Sequence, residues 1–251
     1  MKVTRWMPIV GFIFLFVMVF GGREQADRAE AGGISSLGGL RKVIVPSDMS
    51  MPAGAMLWQD YGSFALYGLT DEAFNELPLQ HRQQVQATAV LDTILFDGYA
   101  FNPTTDDLAL PAALRVDEPQ GKGLQIIQFV GPIKDEWLTA VSQTGTTLIS
   151  YISHNAYLVW TDAPGRQQLD TLISNSTFLQ YSQPYHPFFK LSVALREQVL
   201  MPAEPNQLVT VTVQLYQHEA VADSEAVIRQ LSHHLTSWYS LLKFQNSTVT
   251  V

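Results

Sequence analysis

Leu124–Val130 (LQIIQFV), followed by Gly131-Pro132 and then by Lys134–Gln143, is the stretch that decides the fold. LQIIQFV reads as a strand: it is short, rich in branched and aromatic residues, and bounded by Gly123 and by Gly131-Pro132. Lys134–Gln143 reads as a helix, because Trp137, Leu138 and Val141 fall on one side at helical spacing. Gly145 stands where a left-handed C-terminal stop belongs. Thr147–Ile152 (TLISYI) is the next strand, Ser153-His154-Asn155 the turn, and Ala156–Trp160 (AYLVW) the strand that pairs back. A second helix begins near Pro164 and turns Leu169, Leu172 and Ile173 inward. Phe178–Tyr181 closes the set, and the order β-α-β-β-α-β is that of a ferredoxin-like unit over residues 123–181.

Two further units flank this one. In residues 41–100, Arg41–Pro46 (RKVIVP), Ser63–Leu69 (SFALYGL) and Leu91–Phe96 (LDTILF) read as strands. Thr70 is placed to cap a helix that carries Asp71 and Glu72 in its first turn and Phe74 and Leu77 on one face. Residues 101–122 form a connector with Pro103, Pro111 and Pro119. A domain boundary is expected there, with an ordered wrap over the neighbouring unit as the alternative, since Leu108, Leu110 and Leu114 are apolar. A second proline-containing connector spans 182–205. In residues 206–251, Gln207–Tyr216 alternates Val209, Val211, Val213 and Leu215 against Thr210, Thr212 and Gln214, the mark of a strand with one buried face. A helix is expected over Ser224–Tyr239 on Ile228, Leu231, Leu235 and Trp238, then a strand at Leu241–Phe244 and the start of its partner at Thr248–Val251. The fold class expected is therefore α+β, with tandem small ferredoxin-like units, antiparallel sheets and an incomplete last unit. That incompleteness is read as truncation of a longer protein, or else as a natural stop with an edge strand.

The N-terminus reads as targeting rather than fold. Lys2 and Arg5 precede an uncharged apolar run, Trp6–Phe20, that ends at Gly21-Gly22. Residues 1–22 are thus an export signal, either cleaved or kept as an anchor, and the chain is expected to be secreted or extracytoplasmic. The glycine-bearing residues 23–40 form a flexible linker. Loss of two basic residues, Lys2 and Arg5, takes the formal charge from −8 to −10. An acidic, exported chain argues against nucleic acid as a partner, and against any membrane contact beyond the leader or anchor. Charged residues make up 15% of the chain against a usual ~25%, so its surface should be neutral and rich in Gln, Ser and Thr. Cysteine is absent, which removes disulfides, thiolate metal ligands and thiol nucleophiles.

No catalytic motif emerges: HExxH, GxSxG, the phosphate loop and GxGxxG are all missing. His233 and His234, adjacent in the expected helix, point about 100° apart and do not form an i, i+4 metal pair. His154 lies in a turn with no acid or nucleophile at local spacing. Asp106-Asp107 and Asp117-Glu118 lack the alternating oxygen donors of a calcium loop. No cofactor is expected. Asn175-Ser176-Thr177 and Asn246-Ser247-Thr248 match the glycosylation sequon. The strand 124–130 carries one aromatic, Phe129, and no basic residue, which disfavours RNA. The loop Gly131–Lys134 lacks the arginine that acylphosphatase chemistry would need.

Two stretches, Gly123–Asp162 and Asp60–Phe74 (DYGSFALYGLTDEAF), resemble the pro-region ahead of exported bacterial subtilisin-like serine proteases. The features carrying the resemblance are Gln128-Phe129, Gly131-Pro132-Ile133 and Glu136-Trp137, then Tyr151-Ile152 and Asn155-Ala156-Tyr157-Leu158-Val159. The resemblance spans residues 41–251 and is densest over 123–162. The family's catalytic Asp, His and Ser motifs do not occur: Asp92-Thr93 runs into Ile94, and no His-Gly pair exists. The resemblance implies a non-catalytic module that assists folding of, and inhibits, a subtilisin-like catalytic domain in cis or in trans. The contact residues it suggests are Phe129, Tyr151, His154, Asn155 and Tyr157. The competing expectation is an exported surface interaction or adhesion module.

Overall fold

A computed structural model describes residues 40–116, 119, 121–201, 210–216, 226, 228–230, 234–241 and 244–250. The expected export signal, and the linker up to Gly39, lie outside the described residues. So do Asp117, Glu118, His218 and His233. The chain divides into two compact units, one within residues 28–197 and one within 198–251. The fold class is α+β, and among the described residues every strand pairing is antiparallel.

The larger unit opens with strands β1 (Arg41–Pro46), β2 (Met56–Asp60) and β3 (Phe64–Leu69), helices α1 (Asp71–Glu76) and α2 (Leu79–Gln84), and the short β4 (Gln86–Ala87). They form a sheet of order β2-β3-β1-β4. This β-β-β-α-α-β order differs from the β-α-β-β-α-β expected of a tandem unit. The element missed is β2, an edge strand without a β-branched residue, which its register against β3 defines. The Thr70 hydroxyl accepts the Ala73 N–H at 3.1 Å, the capping bond expected at the start of α1. Leu91–Phe96 is not one strand. Ala89–Asp92 forms a 3₁₀ turn, and only β5 (Ile94–Phe96) is extended, pairing with β6 (Tyr99–Phe101) across Gly98 at φ +65°.

The second sheet follows. Strand β7 (Gly123–Phe129), helix α3 (Asp135–Gln143), β8 (Thr147–Ile152), β9 (Ala156–Thr161), α4 (Ala163–Asn175) and β10 (Leu179–Pro184) give the sheet order β10-β7-β9-β8. α3 ends at Gly145 with φ +79°, and the Asp162 carboxylate caps α4 by accepting the Gly165 N–H at 2.9 Å. The proline-containing connector expected over 182–205 carries regular structure as far as it is described: residues 182–184 complete β10, and α5 (Pro187–Lys190) and α6 (Val193–Leu200) follow, while residues 202–205 lie outside the described residues.

Both faces of β7 are covered. Toward α3 and α4, Ile127 and Phe129 join Trp137, Val141, Leu169 and Ile173, and Trp58 and Leu66 of the first sheet enter the same cluster. On the opposite face, Ile126 packs with Ile94, Phe101, Leu110 and Phe189. Residues 41–101 and 123–189 therefore share one core, and Leu110 and Leu114 of the intervening connector are buried in the protein. Within the first sheet, the seat of the Trp58 side chain of β2 over β3 depends on glycine. A Cβ on Gly68 would lie 2.5 Å from the ring of Trp58, a rigid and buried aromatic side chain. Gly68→Ala is expected to destabilise the chain by about 1–3 kcal/mol through overpacking, read as a lower urea midpoint with unchanged slope.

The face of β7 away from the helices is also rich in phenols. The Tyr185 hydroxyl donates to the Phe189 carbonyl at 2.8 Å, and the Tyr181 ring meets Phe101 edge-on. Burial pushes Tyr185 up to about 12 and raises Tyr181 above the usual range, and it raises Tyr61 likewise on the other face, against Trp137. A phenol raised on folding contributes stability that is full below the unfolded value of ~10 and is lost as pH climbs toward the folded value. Folding stability should therefore fall above about pH 10, with the three phenols ionising in step with unfolding when tyrosinate absorbance and circular dichroism are followed together.

In the smaller unit, β11 (Thr210–Tyr216) alternates exposure as expected, with Val211, Val213 and Leu215 the more covered set. Among the described residues, helix occurs at Ala226 and Ile228–Gln230, and the helix expected to reach Tyr239 does not. His234–Leu241 is instead strand β12. It pairs with β13 (Phe244–Thr250) in the sheet order β11-β13-β12. Leu235 and Trp238 have helical spacing, but the segment also carries Thr236, Trp238 and Tyr239, which suit a strand. Pairing to β13 supplies its backbone partners from Leu241↔Phe244 back to His234↔Thr250. His234 thus lies at a strand start, not in a helix.

Candidate functional site: the His154–Asn155 turn

The hairpin joining β8 to β9 turns through Ser153, His154 and Asn155, and its flanking pair is Ile152↔Ala156. His154 and Asn155 both have φ of 63°, the left-handed region, and they are the two non-glycine residues in that region among those described. A left-handed backbone costs roughly 1–2 kcal/mol at an ordinary residue and less at Asn, so His154 above all needs other contacts to hold it.

Those contacts come from four directions. The His154 Nδ1 lies 2.7 Å from the Thr93 carbonyl. A carbonyl only accepts, so Nδ1 carries the proton and donates. The Gln128 amide donates to the His154 carbonyl at 3.0 Å. The Phe129 N–H donates to the Asn155 carbonyl at 2.9 Å, and the Asn155 N–H donates to the Tyr151 hydroxyl at 3.2 Å.

Gln128 is the end of a buried polar network. Its amide nitrogen also donates to the carbonyls of Asp92 at 3.1 Å and Leu91 at 3.4 Å, and its oxygen accepts from Gln180 at 2.7 Å. Gln180 donates to the Asp92 carboxylate at 2.9 Å and accepts from the Lys42 ammonium, also at 2.9 Å. Lys42 and Asp92 form a direct ion pair, both side chains buried, and the ammonium lies 5.6 Å from the centre of the Trp58 ring. Burial pulls Lys42 below its usual value, against the opposing pull of the Asp92 carboxylate. The network thus ties β1, the 3₁₀ turn, β7 and β10 to the base of the hairpin.

The suggested contact residues fall at different depths. Phe129 is fully buried and offers no surface. Tyr151 is 53% exposed, while His154, Asn155 and Tyr157 are half-buried. The aromatic rings form a continuous series from surface to core. Tyr151 meets Tyr157 edge-on at 5.6 Å, and Tyr157 meets Phe129 edge-on at 6.3 Å. Phe129 stacks on Trp137 at 6.0 Å, and Trp137 on Phe178 at 5.4 Å. The sequence reading missed Lys42, Asp92 and Gln180. The available signal was an amide, Gln128, inside an otherwise apolar central strand.

Other candidates have structural partners. Asp106 accepts the Asn102 N–H at 2.7 Å and the Thr105 hydroxyl at 3.0 Å, which closes its own turn. His186 is buried and accepts the Val116 N–H at 3.1 Å. Among the described residues, no group of three or more His, Asp or Glu is placed to hold a metal ion, and no helix is long and apolar enough to cross a membrane.

The two stretches Asp60–Phe74 and Gly123–Asp162 meet directly. The Tyr61 hydroxyl donates to the Pro132 carbonyl at 2.8 Å, and the Lys134 ammonium donates to the Asp60 carbonyl at 2.9 Å. Tyr61 stacks on Phe64 and meets Trp137 edge-on. A Cβ on Gly131 would come within 2.9 Å of Leu66 and 3.1 Å of the Tyr61 hydroxyl, so a bare backbone is needed there.

Residues 95–186 match a family model described as a domain of unknown function, DUF8729. The matched stretch begins within β5 and ends at His186, so it takes in the β5–β6 hairpin, the connector and the second sheet together. No curated protein and no solved structure matches the chain.

Proposed function

We propose that this chain is the non-catalytic pro-region of an exported subtilisin-like protease precursor, a module that docks on a catalytic domain and assists its folding. The observation that carries this reading is the meeting of the two resembling stretches at one packing site. Tyr61 of the first, stacked on Phe64, reaches Pro132 and Trp137 of the second and lies against Gly131 together with Leu66. A scatter of apolar residues that matched by composition alone would have no reason to converge. The order β-α-β-β-α-β over residues 123–184, with sheet order β10-β7-β9-β8, supports a ferredoxin-like unit there. Secretion rests on the basic and apolar N-terminal run.

Docking through an open sheet face is disfavoured, because residues 94–101, Leu110 and Phe189 cover that face. The working surface is therefore placed at the hairpin end, on Tyr151, His154, Asn155 and the edge of Tyr157. The same covered face favours a second reading, an exported interaction module with no protease role.

The full chain should be titrated against a panel of subtilisin-like proteases at neutral pH, with residual activity and chain integrity followed together. Saturable inhibition by intact chain supports the pro-region reading. A chain that stays folded and intact without inhibiting any of them moves the assignment to the interaction module.

A further inference from the structure

We propose that Gln128 is a positioning residue: its buried amide holds the His154–Asn155 turn in the left-handed shape that the hairpin end offers to a partner. The partner-facing half of this statement rests on the docking end assigned above; the positioning half stands on geometry alone. A hairpin that needed only to reverse direction would be served by glycine in the left-handed positions, at no steric cost. This chain places a histidine and an asparagine there instead, and supports them from the core. The His154 carbonyl is held by Gln128 and its ring by the Thr93 carbonyl, while the Asn155 carbonyl is held by the Phe129 N–H. Gln128 is fixed in turn by Gln180 and by the carbonyls of Leu91 and Asp92. Strained backbone persists only where its surroundings over-determine it, and such positions gather at binding sites. The side chains presented by the turn therefore depend on residues distant in sequence, with Asp92 and Lys42 acting through Gln180.

The test uses the full chain, isotopically labelled, and reads the turn by magnetic resonance. Two signatures report it: the His154 Nδ1–H signal, and the backbone carbon shifts of His154 and Asn155, which distinguish left-handed from extended backbone. Gln128→Met fills the same space without donors. It is expected to abolish the Nδ1–H signal and move both shifts, while the signals of Val141 in α3 and Leu169 in α4 stay in place. Adding Asn155→Gly to that variant is expected to restore the Nδ1–H signal, because glycine accepts the left-handed backbone unaided. Left-handed shifts that survive Gln128→Met overturn the positioning role. So does their loss only in parallel with the α3 and α4 signals and without rescue by glycine, since that is general unfolding. The same variants enter the protease titration, where release of the turn is expected to weaken inhibition on the order of tenfold. A released turn with inhibition intact removes the hairpin end as the docking surface and leaves the positioning role standing.

Discussion

Asp92→Ala is expected to lower folding stability by about 3–5 kcal/mol, one of the largest effects of a single substitution in this chain. The carboxylate is the charge partner of Lys42 and also accepts from Gln180. Without it, the ammonium stays buried with the Gln180 oxygen as its remaining side-chain acceptor. Breaking one half of a buried pair is costly because the other charge is stranded, not because the pair itself contributes much. The combined replacement Lys42→Met with Asp92→Leu should therefore recover most of the loss. Urea unfolding of the two variants checks the point, the double variant having the higher midpoint. pH gives a second handle. Burial already lowers Lys42, and Asp92 opposes that pull. In Asp92→Ala the opposition is gone. A lysine whose folded value lies below its unfolded one holds fewer protons folded than unfolded between the two values. The variant should therefore gain stability as pH rises through that window.

Local patterns made the second sheet legible. Residues 123–181 carry hydrophobic periods that switch between two and 3.6, with punctuation at Gly131-Pro132, Gly145 and Pro164, and the strands and helices there lie within a few residues of those signals. β2 escaped because an edge strand such as MLWQD is defined by its partner more than by its own residues. β12 escaped because Leu235 and Trp238 satisfy a helical spacing, and only pairing with β13 decides between the two states. The candidate site was half legible. The turn could be named from the strand-turn-strand pattern, and its aromatics were suggested by the resemblance. The network beneath them could not, since it joins Lys42, Asp92, Gln128 and Gln180 across separations of 36 to 138 residues. Composition and spacing are silent at that range. What sequence does offer is the oddity of polar residues in central strands, because a buried amide persists only where it is paired.

Phe129→Ala and Tyr151→Ala separate fold from contact within one series of rings. Phe129 is fully buried, stacks on Trp137 and receives the edge of Tyr157. Its truncation removes a large apolar side chain and leaves a cavity, and is expected to cost about 3–5 kcal/mol. The loss should reach the hairpin as well, because Tyr157 rests on the Phe129 ring and Tyr151 on Tyr157. Tyr151 stands at the other end, 53% exposed, with its ring edge on Tyr157 and its hydroxyl on the Asn155 N–H. Its truncation should cost on the order of 1 kcal/mol or less, since little of it is withdrawn from water and one partly solvated hydrogen bond is lost. The two variants therefore make opposite predictions for the two measurements. Phe129→Ala collapses the thermal midpoint, and any change in protease inhibition follows from the unfolded fraction. Tyr151→Ala leaves the thermal midpoint within a few degrees while inhibition falls, if the hairpin end is the docking surface. A Tyr151→Ala chain that melts normally and inhibits normally places the contact elsewhere on the molecule, and with the second face of the β7 sheet already covered it would have to be sought on the exposed helix surfaces or on the β2 edge, where Met56 and Leu57 are exposed.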